Sequence, residues 1–243
     1  MTDALNIKQE VVADPTALAE RVAAWMLELA LAKDGAFAIC LSGGSTPKVL
    51  YERLAQAPYR DAFPWDRTHL FWGDERFVPK DDDLSNYKMV REALLDHAPI
   101  RAANIHAVQT EGLSPEQSAA AYARDLQTFY GAETLDPARP LFDVNILGLG
   151  PDGHTASLFP GNAVLNEREK WVAAVIGAKA EARITLTYPV LESSRYAAFL
   201  VDGPGKAQIL KQLLAGDRSL PAAHIHPVGE LLLFADTAAK GAS

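Results

Sequence analysis

Short apolar runs alternate with amphipathic stretches along the chain, and the two kinds of block predict strands and helices in turn. Strands are predicted at residues 36–41, 68–72, 144–149, 171–176, 183–187, 196–201 and 230–234. The first amphipathic stretch carries a single apolar stripe, which consists of Leu18, Val22, Trp25, Met26 and Leu29. Near-continuous apolar strands separated by helices indicate an α/β fold with a mostly parallel sheet and helices on both faces.

Capping patterns predict where several helices begin. Asp14, Thr46 and Ser114 are each followed by proline, and each is predicted to cap the helix that starts there. Ser114 also opens the capping-box pattern Ser-Pro-Glu-Gln. A further helix is predicted over residues 86–96, and a short strand over residues 104–108.

Length and composition narrow the class of protein. The chain has 243 residues, of which 49% are apolar and 22% charged, as is ordinary for a globular protein with a sizeable core. We expect one α/β domain over residues 1–243, in which residues 84–109 form at most a small subdomain. A net charge of −8 without a basic run argues against a nucleic-acid partner. An anionic small molecule would therefore be held by a few local cations and backbone amides.

Cysteine content and hydropathy bear on the compartment. The single cysteine, Cys40, lies in an apolar run, so an internal disulfide is excluded and Cys40 is predicted to be a reduced core residue. Apolar runs stay short of the roughly 18 residues of a membrane span. The N-terminal sequence MTDALNIKQE lacks signal-peptide character. These features predict a cytoplasmic protein that does not bind membranes. The oligomeric state stays open, with a monomer preferred.

The stretch FDVNILGLGPDGHTASLFPG, at residues 142–161, is the leading candidate for chemistry. Its apolar strand breaks into a glycine-rich loop, and His154 follows directly. Thr155, Ala156 and Ser157 are then expected to open a short helix. An imidazole at the carboxyl end of a buried strand lies where open α/β sheets bind their ligands. We therefore predict an enzyme in which His154 is a general base.

Two other polar segments also follow predicted strands. Residues 42–47 (SGGSTP) combine two glycines and three hydroxyls with the free amides of the next helix, which fits either an anion site or an ordinary capped turn. Residues 74–76 (DER) form the other segment. If the strands are neighbours, a base, carboxylates and a guanidinium converge on one cleft. Arg183 and Lys206 are further cations at the edges of a strand and a helix.

Other motif assignments are weaker. Residues 148–153 formally fit G-x-G-x-x-G, but the Pro-Asp pair is unusual in a turn that lays a helix against pyrophosphate. The sequence lacks Walker spacing and a G-x-S-x-G elbow. His224 and His226 have no third ligand nearby in sequence, so no metal site is predicted.

Together these segments resemble the 6-phosphogluconolactonase family. The matching pieces are LSGGSTP (41–47), WGDERFVP (72–79), SNYKMVREALL (85–95), LGLGPDGHTASLFPG (147–161), RITLTYPVL (183–191) and GKA (205–207). They occur in the family's order and span nearly the whole chain, so the joint match is highly specific. The SGGSTP and GxGxDGH pieces alone are shared with a wider group that includes glucosamine-6-phosphate deaminase.

The resemblance implies a Rossmann-like fold and cofactor-free hydrolysis of 6-phosphoglucono-δ-lactone to 6-phosphogluconate, in the oxidative branch of the pentose phosphate pathway. By this likeness, His154 takes a proton from the attacking water, while Arg76 holds the substrate and the developing oxyanion. Asp74 and Asp152 would orient His154 or bind sugar hydroxyls. The implied phosphate site consists of Ser42, Gly43, Gly44, Ser45 and Thr46, with Arg183 and Lys206 as cationic partners.

Two alternatives stay open. One is an isomerising deaminase of the same group, whose motif has an acidic residue and Asn after the histidine in an F-N-E-P context. Residues 156–160 of this chain contain no carboxylate. The other is a non-catalytic sugar-phosphate sensor, which would retain the phosphate loop and show no turnover.

Overall fold

A computed structural model describes residues 6–241 of the protein. The strands are β1 (Lys8–Val12), β2 (Phe37–Leu41), β3 (Thr68–Trp72), β4 (Asp74–Arg76), β5 (Ile105–His106), β6 (Phe142–Leu147), β7 (Val172–Val175), β8 (Arg183–Leu186), β9 (Ser194–Val201) and β10 (Glu230–Asp236). The helices are α1 (Pro15–Ala32), α2 (Ser45–Leu54), α3 (Tyr59–Ala62), α4 (Asn86–Val90), α5 (Pro115–Tyr130), α6 (Tyr188–Glu192), α7 (Ala207–Leu214) and α8 (Thr237–Lys240). A π-helical segment, Arg91–Leu95, continues α4.

The larger sheet has seven parallel strands in the order β1-β10-β9-β6-β2-β3-β5. From β2 the chain proceeds to β3 and β5 on one side, whereas from β6 it proceeds to β9 and β10 on the other. The strand order therefore reverses between β2 and β6, which leaves a crevice beyond their carboxyl ends. The predicted α/β class with a mostly parallel sheet is confirmed.

The central strands are buried along their whole length, which explains their near-continuous apolar sequences. Every residue of β2 and β6 is buried, Cys40 included. The carboxylate of Asp143 in β6 accepts hydrogen bonds from Lys33 Nζ (2.6 Å) and Ala38 N (2.8 Å), so this buried charge is paired. Within residues 6–241, every helix is too short or too polar to cross a bilayer.

A smaller antiparallel sheet, in the order β4-β8-β7, was not predicted as a separate unit. The sequence indicates β7 and β8 as strands, but β4 is a charged triplet with no apolar residue and looks like a turn. Pairing with β8 holds it extended, with Glu75 opposite Ile184. β1 was also missed, because this edge strand shows only partial burial.

Helix boundaries follow the predicted caps in two cases and differ in a third. Asp14 accepts a hydrogen bond from Ala17 N (2.8 Å), and Ser114 forms the predicted capping box. α2 begins earlier than predicted, with Gly44 rather than Thr46 at its N-cap. The Thr46 hydroxyl is hydrogen-bonded to the Asp202 carboxylate instead, so a tertiary partner replaces the local cap. The strand predicted at residues 104–108 is reduced to β5.

The helix expected after His154 is wrong. Ala156 has a φ of +47°, which a right-handed helix does not allow. Ser157 donates its N–H to Thr185 Oγ1 (3.2 Å) and its hydroxyl to Asp74 Oδ2 (2.6 Å). These bonds tie the segment to the smaller sheet and replace the local hydrogen bonds of a helix.

Candidate active site

A cleft of about 420 Å³ opens where the strand order of the larger sheet reverses. This volume lies in the ordinary range for small-molecule sites. The predicted site residues that line it are Ser42, Gly43, Gly44, Ser45, Thr46, Asp74, Arg76, His154, Arg183 and Lys206. Asp152 is not part of the lining and lies behind His154, to which it is hydrogen-bonded. Segments far apart in sequence thus meet in one cavity.

Two buried tyrosines fix the ends of β2 and β3 beside the cleft. Tyr51 Oη accepts from Ser42 N (2.9 Å) and donates to Ser42 O (2.8 Å) after β2. Tyr122 does the same at the end of β3, with Trp72 N at 2.7 Å and Trp72 O at 3.0 Å. Burial raises the pKa of both phenols, which keeps them protonated as donors. Each tyrosine therefore satisfies both backbone groups of the residue it holds.

The loop after β2 has a specific need for its two glycines. A Cβ at Gly43 would overlap the side-chain amide of Asn86, so the loop and α4 touch at this point. Gly44 has a φ of +108°, which side chains rarely allow. The loop ends at the first turn of α2, where unpaired backbone amides favour an anion.

Positive charge dominates the lining of the cleft. Four cations (Arg76, Lys179, Arg183, Lys206) stand against two carboxylates (Asp74, Asp202), although the whole chain carries a charge of −8. Lys206 Nζ donates to Leu149 O (2.6 Å), and Arg183 Nη1 lies 3.2 Å from Glu181 Oε2. These contacts hold both cations at the cleft, where they can attract an anionic ligand.

His154, which lines the cleft, and Asp152 form a hydrogen-bonded pair. The contact joins His154 Nδ1 to Asp152 Oδ1, and the same carboxylate oxygen accepts from His154 N (3.2 Å). Partial burial raises the pKa of Asp152, but the hydrogen bonds and the charge interaction with His154, together with a backbone hydrogen bond, outweigh this effect and lower the pKa below its usual value. With the Nδ1 proton donated to Asp152, Nε2 is the nitrogen with a free lone pair.

Asp74 has a different set of partners from Asp152. Its Oδ2 accepts from Ser157 Oγ (2.6 Å), and its backbone oxygen accepts from Asn86 Nδ2 (2.9 Å). Among the residues that the structure describes, Asp74 and His154 share no hydrogen bond. Orientation of His154 therefore falls to Asp152, which leaves Asp74 facing the cleft.

Sequence reasoning gave no role to several residues at the site. Asn86, Phe159, Lys179 and Asp202 line the cleft, and Glu75 is buried beside it. Asp202 follows directly after β9, so the rule that singled out residues 74–76 also applied to it. Because side chains alternate between the two faces of a strand, an extended β4 would place the side chain of Glu75 on the face opposite Asp74 and Arg76. Lys179 lies between strands and carries no comparable signal.

Comparison with known proteins places the chain in a family. Residues 13–234 match the family described as glucosamine-6-phosphate isomerases/6-phosphogluconolactonase. A 6-phosphogluconolactonase of Nostoc sp. is 43% identical over 238 residues, or 95% of each chain. The structure of a 6-phosphogluconolactonase from Thermotoga maritima matches with a TM-score of 0.80 and 32% identity, over 95% of this chain and 100% of that one.

A monomeric glucosamine-6-phosphate deaminase has the same fold. Its TM-score is 0.81 over 96% of this chain and 99% of that one, but the two sequences are only 18% identical. The chain therefore belongs to the glucosamine-6-phosphate isomerase/6-phosphogluconolactonase family, as its motifs predict.

Proposed function

We propose that this chain is a 6-phosphogluconolactonase, which hydrolyses 6-phosphoglucono-δ-lactone to 6-phosphogluconate without a cofactor. The observation that carries the proposal is that a carboxylate-oriented imidazole and a glycine-rich anion loop line the same cleft. Relatives of that name at 43% identity (Nostoc sp.) and 40% identity (Arabidopsis thaliana) support it.

In the proposed reaction, His154 Nε2 takes a proton from a water molecule as the water oxygen bonds to the lactone carbonyl carbon. Asp152 holds the Nδ1 proton and stabilises the imidazolium that forms. The tetrahedral oxyanion then expels the ring oxygen, which receives the proton from His154. A positioned base of this kind contributes roughly 10²- to 10⁴-fold to the rate.

Arg76 is the proposed partner of the oxyanion. It lines the cleft from β4, and its Nη1 donates to Leu84 O (2.6 Å). A fixed guanidinium near the reacting carbonyl stabilises charge that develops only in the transition state. Asp74, on the same face of β4, is proposed to bind sugar hydroxyls.

The substrate phosphate is assigned to residues 42–46 with Arg183 and Lys206. Backbone amides of the loop and two cations line the same cleft and suit a dianion. The phosphate is remote from the reacting carbon, so its binding energy serves to orient the lactone against His154.

The residue contacts favour lactone hydrolysis over the isomerising deaminase. Phe159 packs against the imidazole of His154, with ring centroids 4.8 Å apart. An apolar ring thus occupies part of the segment in which the deaminase motif has its carboxylate.

Cytoplasmic location and a monomeric state remain predictions, which cell fractionation and size-exclusion chromatography test.

The deciding experiment compares two substrates on the purified chain. We expect hydrolysis of 6-phosphoglucono-δ-lactone well above its spontaneous rate and no release of ammonia from glucosamine 6-phosphate. Deaminase turnover would overturn the assignment. Binding of 6-phosphogluconate without any turnover would favour a sensor instead.

A further inference from the structure

Glu75 is a buried carboxyl group for which the proposed reaction has no use. It lies in the middle of β4, only 2% exposed, while its neighbours Asp74 and Arg76 line the cleft. Side chains alternate across a strand, so Glu75 points away from the cleft. A carboxyl group this deep in a protein needs several hydrogen-bond donors to offset its lost hydration.

The donors to Glu75 come mainly from the start of α4. Oε1 accepts from Asn86 N and Oε2 accepts from Tyr87 N, each at 2.7 Å, and Ser85 Oγ lies 3.4 Å from Oε2. Arg76 N, in β4 itself, also donates to Oε1 at 2.7 Å. The carboxylate thus takes up backbone amides that the first turn of a helix leaves unpaired. It joins β4 to α4.

Asn86, which Glu75 holds through its backbone, contacts both β4 and the anion loop. Its Nδ2 donates to Asp74 O (2.9 Å) and lies 3.4 Å from Asp74 Oδ1. Its side-chain amide fills the space that a Cβ at Gly43 would need. The residue before Ser85 supplies the carbonyl that accepts from Arg76. The segment that Glu75 fixes therefore touches Asp74, Arg76 and the anion loop.

We propose that Glu75 is a positioning residue, which holds residues 84–87 against β4, so that Asn86 aligns Asp74 with the loop at Gly43 and Leu84 O holds Arg76. Glu75 touches no substrate in this account and acts through Asn86. The inference rests on the proposed function, because its effect on rate is defined for lactone hydrolysis.

The kinetic test uses Glu75→Gln, Asn86→Ala and the double variant. The anion loop has its own anchors, because Ser42 is bonded to Tyr51 and Thr46 to Asp202. Substrate binding should therefore be retained, and the loss of activity should appear in kcat and not in KM. We expect each single change to lower kcat about 10- to 100-fold with KM within about threefold, because small misplacements of reacting groups carry costs of this size. If Glu75 acts through Asn86, the double variant loses no more than the worse single variant.

Glu192→Gln is the matched control. Glu192 is a half-buried carboxyl group that also accepts a backbone hydrogen bond, from His226 N at 3.0 Å, but it lies outside the cleft. The Glu192→Gln variant should keep wild-type kcat. The rate of every variant is normalised to the fraction of the protein that binds 6-phosphogluconate. Equal losses in the two glutamine variants, multiplicative losses in the double variant, or wild-type kcat in Asn86→Ala would each overturn the proposal. Wild-type kcat in Asn86→Ala would overturn the proposal even if Glu75→Gln fails to fold.

A second readout separates this proposal from the proposed function. If the wild type does not hydrolyse the lactone, the proposed function fails, and the positioning role is decided by the amide resonance of Gly43. That resonance should shift in Glu75→Gln and Asn86→Ala but not in Glu192→Gln. An unchanged Gly43 resonance in both site variants would overturn the positioning role whatever the enzyme catalyses.

Discussion

The imidazole of His154 occupies the space that a side chain at Gly150 would need. A Cβ built at Gly150 would overlap the ring at Nδ1 and Cε1, and Nδ1 is the nitrogen that meets Asp152. Gly150 N also donates to His154 O (2.8 Å), so the loop closes on itself around the ring. The position of the proposed base therefore depends on the absence of a side chain four residues earlier.

Gly150→Ala should consequently impair hydrolysis without unfolding the chain. The added methyl group displaces the ring from Asp152, and we expect kcat to fall by about 100-fold. Steady-state kinetics and near-ultraviolet circular dichroism check this prediction. Gly205→Ala is the control, because that glycine has open space around it and an ordinary φ. Wild-type kcat in Gly150→Ala would contradict the close fit.

Asp152→Asn should act through the tautomer of His154. An asparagine amide can donate to Nδ1, which moves the proton to Nε2 and removes the lone pair that faces water. We expect kcat to fall roughly 10²- to 10⁴-fold, with 6-phosphogluconate affinity within a few-fold of wild type. His154→Ala should lose most of the lactone hydrolysis. Its affinity for 6-phosphogluconate, measured by calorimetry, should also stay within a few-fold of wild type. Full activity in His154→Ala would refute its role as the base.

Arg183→Ala and Lys206→Ala should change KM more than kcat. A phosphate contact exists in both the ground state and the transition state, so its loss weakens both equally. We expect KM to rise by about tenfold or more in each variant, in keeping with the loss of a charge-assisted hydrogen bond. Arg101→Ala, at an exposed position outside the cleft, is the control. Unchanged KM in both site variants would remove these cations from the phosphate site.

The stability of the chain should depend on pH through Glu75. Burial raises the pKa of Glu75 from 4.5 to about 7, against three backbone N–H groups that favour the charged form. The folded chain therefore binds this proton more tightly than the unfolded chain. The resulting stability is fully present below pH 4.5 and is lost as the pH rises through about 7, a change of about 3 kcal/mol.

Urea titrations of the wild type and Glu75→Gln measure this effect, because the glutamine does not titrate. The free energy of unfolding of the wild type, minus that of the variant, should decrease between pH 4.5 and 7. A difference that stays flat or increases over this range would contradict the raised pKa.

Much of the fold followed from local patterns in the sequence. The structure contains the helices predicted from the caps at Asp14 and Ser114. It also contains the strands predicted from apolar runs at β2, β3, β6 and β9, because burial on both faces of a strand leaves a clear signal in the sequence. β4 gave no such signal, since its three charged residues are extended only through pairing with β8. Thr46 and Ser157 were misassigned for a related reason. Their hydroxyls bond to distant carboxylates, which no local pattern reveals.

The sequence indicated which residues belong to the site better than it indicated how they are arranged. Polar residues directly after strands pointed to His154, residues 42–46 and residues 74–76, because carboxyl ends of parallel strands share one edge. The sequence did not indicate that Asp152 faces His154 from behind while Asp74 faces the cavity. It also treated Glu75 as one member of a charged cluster, although alternation along β4 sends it to the interior.

Four neighbouring strands of the larger sheet, together with β4 and β8 of the smaller sheet, deliver the groups of the cleft, from Ser42 after β2 to Lys206 beyond β9. The anion loop follows β2 and the imidazole follows β6, so the pairing of these two strands brings them to the same cleft. Catalytic competence therefore requires both sheets to be assembled, because a partly assembled sheet lacks some of the groups of the site. Turnover in this protein thus depends on the pairing of strands from distant parts of the chain as well as on the integrity of each segment.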